Sequence, residues 1–209
     1  LGALLLFGWE LGETVELDLF GYGLTPVRVD TLSRLFGILF HLAAFLGIVF
    51  ALHLRDTVQH VAGLLYAGGA IGAVFAGDLL TLFVFWEVLA VSSVFLIWAR
   101  RTPRALAAGF RYLIIQVVSG LMLLAGVLIH LSQGGELAFT YIGLDGAASW
   151  LIFLAFGIKA GFPLLHNWLT DAYPEATPTG TVFLSAFTTK VAIYALARGF
   201  PGTELLVYV

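Results

Sequence analysis

The chain has 209 residues, 60% of them hydrophobic and 11% charged, with a mean hydropathy of +1.00; this balance excludes a soluble globule, a disordered chain, a collagen-like fibre and a disulfide scaffold. With no cysteine, it can hold no disulfide, thiolate metal cage, cysteine-ligated iron–sulfur cluster or covalently attached c-type haem, and thiols say nothing of its redox compartment. A formal net charge of −3 and the lack of any basic run argue against a nucleic-acid partner.

Leu1 to Phe7 is a short apolar segment with neither a basic n-region nor a cleavage site, so it reads as the end of a helix rather than a signal peptide. From Trp9 to Asp30 the composition turns acidic and glycine-rich, and Val15, Leu17 and Leu19 alternate with acids at the period of a strand, which predicts an extramembrane hairpin or flap that, with the helix end, makes up residues 1–31. Residues 32–209 form the predicted transmembrane domain. Six apolar stretches follow there, each of roughly 18 to 27 residues and therefore long enough for a hydrocarbon core of ~30 Å. They cover about 32–54, 60–77, 79–99, 105–131, 147–172 and 180–198. Asp78 stands in N-cap position for the third, and Pro163 breaks the fifth, which resumes from Leu164 to Ala172. The fold class is an all-α polytopic bundle of about six helices.

Arginines set the orientation, because cytoplasmic loops collect Lys and Arg. Arg55 lies between the first two spans, and Arg100, Arg101 and Arg104 between the third and fourth; the loop from Gln133 to Asp145 carries none. The two arginine loops are expected in the cytoplasm, the acidic flap and the 133–145 loop outside, with Arg28 and the Asp171/Glu175 loop running against the trend. Gly68, Gly69 and Gly72 in the second span form a small-residue surface for close helix packing.

Three charges break the sorting. Eight of the ten basic residues are arginines at or near helix ends, whereas the two lysines, Lys159 and Lys190, both fall inside apolar helices; of thirteen acids only Glu87 lies near the middle of a span. A charge at the bilayer centre costs at least ~2.5 to 3.5 kcal/mol on insertion scales, so three of them call for partners, water or function. Proton handling is the physical use: desolvation favours a neutral lysine, a nearby carboxylate a charged one, and Glu87 with Lys159 has that chemistry. Each of the three could instead be a buried interhelical ion pair. Pro163 leaves the Lys159 carbonyl without its usual donor, which puts a break beside the lysine, as in the broken helices that mark transporter ion sites; the plain alternative is a helix kink. His166, beyond the break, can accept and donate a proton near neutral pH, or simply hydrogen-bond at the interface.

The segments Phe83–Glu87, Gly157–Ala172 and Thr188–Val191, with the Asp30-Thr31-Leu32-Ser33 helix opening, resemble the antiporter-like membrane subunits. These are the family of the proton-pumping subunits of respiratory complex I (NADH:quinone oxidoreductase), membrane-bound hydrogenases and Mrp-type cation/proton antiporters. The resemblance extends from about Val27 to the end, and the Phe183–Arg198 helix favours the D-type branch of the Mrp antiporters. It implies that Glu87 modulates the lysine on the broken helix, that Lys159 is that lysine, that His166 links it onward, and that Lys190 passes protons toward the subunit centre. Asp171 has a supporting place. It also implies partners, namely other membrane subunits, the lipid bilayer, H+ and Na+, and no cofactor or metal. Thr170 departs from the proline of the family's Leu-Pro-Asp sequence. Family members have about fourteen helices in two inverted five-helix repeats, so this chain reads as one repeat of a twofold transporter.

The leading expectation is an ion-translocating subunit of a multi-subunit membrane complex in the cell membrane. A haem b or quinone anchor is an alternative resting on His41, His53 and His130, and an inert scaffold is another. Gly21-Tyr22-Gly23 lacks the strand, third glycine and helix of a dinucleotide site, and no Walker loop or zinc-binding His-Glu-x-x-His helix is present, so any redox catalysis of the complex belongs to other subunits.

Overall fold

The computed structural model describes residues 8–19 and 21–208; the segment Leu1–Phe7 read as a helix end lies outside them. Thr14–Leu19 (β1) and Tyr22–Arg28 (β2) pair antiparallel, with a register irregularity between Val15 and Leu17. Five long helical segments then follow: α1 Thr31–Ala51, α2 Thr57–Phe75, α3 Leu79–Trp98, α4 Pro103–Ser132 and, after the shorter α5 Ala147–Ala160 and α6 Asn167–Ala172, the stretch Pro178–Gly199. All five are long and apolar enough to cross a membrane.

Polar residues start these helices. Asp30 accepts from Ser33 N (2.9 Å) while Ser33 Oγ accepts from Asp30 N (2.8 Å), a capping box that satisfies two otherwise orphaned donors. Asp56 caps α2, Asp78 caps α3 through Thr81 N (2.7 Å), and Thr102 caps α4, with Pro103 at its first position. Starts of α2 and α4 therefore fall two to three residues before the apolar periodicity suggests.

Glycines set how closely the helices approach. A Cβ on Gly72 would strike the Phe85 ring and one on Gly69 would press on Val88, so both hold α2 against α3, while Gly68 looks into open space. The sequence motif is thus a packing surface at two of its three positions. Gly47 on α1 and Gly63 on α2 share the ring of Phe183.

The bundle has two polar ends. At one, the hairpin is tied down: Asp78 Oδ2 accepts from Thr25 N (2.8 Å), Arg28 donates to Phe139 O (2.6 Å), and Arg198 grips Asp30 with two bonds of 2.7 and 2.8 Å. Partial burial opposes ionisation of Asp30, but the Arg198 guanidinium, the Ser33 N–H and Arg28 outweigh it and hold the carboxyl down at about 2. At the other end Arg101 reaches Asp56 (3.2 Å), Arg100 donates to Pro174 O, Thr177 donates to Gln59 (2.7 Å), and Arg111 binds Asp171 bidentately (2.8 and 2.7 Å).

Candidate functional site

Lys159 is 1% exposed, in the last turn of α5. The helix ends there because Gly161 adopts a left-handed conformation (φ +82°), with Phe162 N bonded to Gly157 O (3.0 Å) and Gly161 N to Ile158 O (3.2 Å); this is a Schellman closure. Gly157 is required on the same account, since a Cβ there would run into the Phe162 ring that folds back over the turn. The break is therefore set by Gly161 and Gly157, two residues ahead of Pro163. Trp168 Nε1 adds a second hydrogen bond to the Ile158 carbonyl (2.9 Å), and the chain regains helix only at Asn167, later than the predicted Leu164. Leu164, between them, holds φ +70° and is 87% exposed.

From this helix end the Lys159 ammonium crosses to α3, where Nζ donates to Trp86 O (2.6 Å) and lies 4.5 Å from the centre of the Trp86 ring. Trp86 is fixed in turn: its Nε1 donates to Ser119 Oγ (3.1 Å), which donates to Ala155 O (2.8 Å), so one hydroxyl joins α3, α4 and α5. Glu87 is the next residue. Its carboxylate and the ammonium interact through space without forming a direct ion pair, and Oε1 is buried with no hydrogen-bond partner. That oxygen lies against Gly120 on α4, where a Cβ would overlap it.

A second break was not expected. The last span, predicted as one helix over about 180–198, is α7 Pro178–Ala186 and α8 Thr188–Gly199, interrupted at Phe187. Tyr66 of α2 inserts its hydroxyl there: Thr188 N donates to Tyr66 Oη (2.9 Å) instead of closing the helical ladder, and the freed Leu184 carbonyl accepts from Tyr173 Oη (2.8 Å) and Tyr66 Oη (3.4 Å). Lys190 lies just past this break and donates to Ser185 O (2.7 Å). The two lysines therefore share a setting, each beside an interruption of its helix and each bonded to a backbone carbonyl.

The structure brings together Glu87 and Lys159 among the expected site residues. Lys190 is on an exposed face, His166 is exposed at the start of α6, and Asp171 is held by Arg111 at the arginine-rich end. His41 Nδ1 is bonded to Gly37 O (2.7 Å) and His53 Nδ1 to Phe50 O (2.8 Å), each within its own helix region, and no group of three or more metal-ligating side chains occurs among the described residues.

The family model for the NADH:quinone oxidoreductase/Mrp antiporter transmembrane region matches residues 76–207. The chain belongs to this family. NADH-quinone oxidoreductase subunit M of Pseudomonas aeruginosa is 30% identical over 208 residues, covering 90% of this chain and 40% of that protein. The D subunit of the Na(+)/H(+) antiporter of Bacillus subtilis is 29% identical over 148 residues, 63% of this chain and 29% of that protein. Among solved structures, the Mrp complex from Dietzia sp. DQ12-45-1b superposes with a TM-score of 0.77 at 26% identity, over 98% of this chain and 43% of the other. Respiratory complex I from Thermus thermophilus shares the fold (TM-score 0.80, 21% identity, 99% and 47% coverage). The chain spans about two fifths of the length of the subunit M relative. The antiporter-like family that the Phe83–Glu87, Gly157–Ala172 and Thr188–Val191 segments resemble is the one found, and the chain is a multi-pass membrane protein of it.

Within this NADH:quinone oxidoreductase/Mrp antiporter fold, several residues at the site and the second break have no counterpart in the sequence-based expectation: Gly120, Ser119, Tyr66 and Gln116. Gln116 is fully buried, and both atoms of its amide are without partners. A signal was available for it, since it is a lone amide side chain near the middle of a 30-residue apolar helix.

Proposed function

We propose that this chain translocates protons, coupled to Na+ movement in an Mrp-type assembly, as one membrane subunit of a multi-subunit complex. The observation that carries the reading is Lys159, a fully buried amine at a helix break, bonded to Trp86 O and within electrostatic reach of the Glu87 carboxylate without an ion pair between them. A fixed pair in contact would hold its proton; a separated pair beside irregular backbone can be biased by an incoming charge. Lys190 at the second break is the onward station, its side chain on an exposed face of the bundle, and His166 and Asp171 follow the first break in the chain. The complex partners are other membrane subunits in the cell membrane.

Glu87→Gln in the assembled complex tests this: proton flux into vesicles should fall about tenfold or more while assembly is normal, a loss in the range of a displaced proton-transfer group. The scaffold reading predicts the reverse, impaired assembly with unchanged flux per complex. A second reading, redox-driven pumping, is favoured by the subunit M relative, which matches 90% of the chain. Flux driven by NADH oxidation supports it, and flux driven only by an imposed Na+ gradient supports the antiporter.

The flap is assigned to the outer side, because Arg55, Arg100, Arg101 and Arg104 gather at the opposite end of the bundle. As the chain has no cysteine, Glu16→Cys on the exposed strand β1 gives a single thiol. A membrane-impermeant thiol reagent added to whole cells should label it; labelling only in inverted vesicles contradicts the orientation.

A further inference from the structure

Of the five buried side-chain atoms without a partner among the described residues, three are Glu87 Oε1 and the two amide atoms of Gln116. The helix registers show where they lie. Along the antiparallel pair α3 and α4, Ser93 meets Tyr112 (2.8 Å), Trp86 meets Ser119 (3.1 Å), and Glu87 lies on Gly120. Gln116 is one turn from Tyr112 and one turn from Gly120 on the same face, and so lies level with the Ala90 turn of α3. Along α4 and α5, Ser119 meets Ala155 and Gly126 lies against Ala148, a register that carried one turn further puts Gln116 opposite Ile158 and Lys159. Helix carbonyls point toward the C-terminus, so the ammonium bound at Trp86 O also stands level with the Ala90 turn.

We infer that Gln116 is the third polar member of the Glu87–Lys159 centre, a positioning residue whose amide holds ordered water between the carboxylate and the ammonium. The inference rests on the ion-translocation reading above. A bound water needs about two to four polar partners, and the site offers the amide N–H and C=O, Glu87 Oε1 and the Lys159 N–H groups not used on Trp86. Such water satisfies all three orphaned atoms at once, and it bridges two charged groups that do not touch. An amide left wholly unbonded inside a membrane protein is costly, and an apolar residue of similar size would remove that cost. The Gln116 amide is satisfied there only if its hydrogen bonds are made to something other than protein.

Two substitutions separate the water-holding role from packing, because the two predict opposite orders. In vesicles containing the full complex, Gln116→Leu keeps the volume and removes the polar atoms; proton flux should fall about tenfold, the scale of a lost hydrogen-bonded link to charged groups. Gln116→Ser gives up volume but leaves a hydroxyl and room for a further water, and should stay within about threefold of the original flux. Normal flux in Gln116→Leu with a defect in Gln116→Ser overturns the inference in favour of packing. If Gln116→Leu accumulates poorly, Gln116→Met takes its place. Failure of both to assemble also overturns the inference, since a water-positioning role in transport predicts lost flux in a bundle that still assembles. Glu87→Gln in the same vesicles is the reference: if it transports normally, the ion-translocation reading fails whatever Gln116 does, whereas a defective Glu87→Gln beside a fully active Gln116→Leu removes only the role of Gln116.

Discussion

Asp30→Ala is expected to lower stability in detergent by about 3 kcal/mol, measured by thermal or denaturant unfolding followed through tryptophan fluorescence. Roughly 1 kcal/mol is the lost N-cap of α1. The rest is Arg198, whose side chain is 10% exposed and would keep its charge with no carboxylate; removing one partner of a fully buried pair costs about 3 to 5 kcal/mol, and the 36% exposure of Asp30 brings this to about 2. Tyr194 and Phe139, whose rings flank Arg198 at 5.0 and 5.8 Å, soften the loss without replacing the bonds. Asp30→Asn keeps the cap oxygen and should lose only the second part. The pH dependence has a definite sign. The folded-state pKa of Asp30 is depressed to about 2, below the ordinary value of 3.8, so its contribution is complete above pH ~4 and disappears as the pH falls through the folded value. The Asp30→Asn variant should therefore lack this part of the decline between pH 4 and 2. An unchanged profile in the variant would mean that the Asp30–Arg198 clamp does not form.

The second large effect is functional. Gly120→Ala places a methyl group where Glu87 Oε1 now lies. The obstructing atom is the end of a flexible side chain, so the carboxylate can turn away without moving either helix, and alanine is the better helix former by ~1 kcal/mol. Assembly should be normal. The displaced carboxylate is no longer aligned with Lys159, and because misplacement by about 1 Å can cost on the order of 100-fold, flux should drop by roughly 10- to 100-fold. Gly68→Ala, which adds the same methyl group into open space on α2, should leave flux unchanged. Equal flux in the two variants would separate the position of Glu87 from transport.

These residues differ in how readable they are from sequence. The spans, the Asp30 and Asp78 caps and the strand alternation at Val15, Leu17 and Leu19 are local patterns, and local physics decides them. Glu87 and Lys159 stand out because a charge in an apolar run is rare whatever surrounds it. The break after Lys159 is legible through Pro163, although the turn itself is made by Gly161 and by the space Gly157 leaves for Phe162. The interruption at Phe187 is different: no proline or glycine adjoins it, and its cause is the Tyr66 hydroxyl, contributed from a distant helix. Which way a side chain faces is equally non-local. Lys190 and His166 read like Lys159 in the sequence, yet they lie on exposed faces, and Gln116 escapes attention because a neutral amide does not register as a misplaced charge.

The role of Lys159 is tested most directly by proton flux into vesicles carrying the full complex with Lys159→Ala, compared at equal amounts of assembled protein. If the buried amine at the α5 break carries the ion, flux falls to the level of vesicles lacking the complex, while Glu87 and the Schellman turn keep the fold. Flux equal to that of the unaltered protein, with assembly intact, would contradict it.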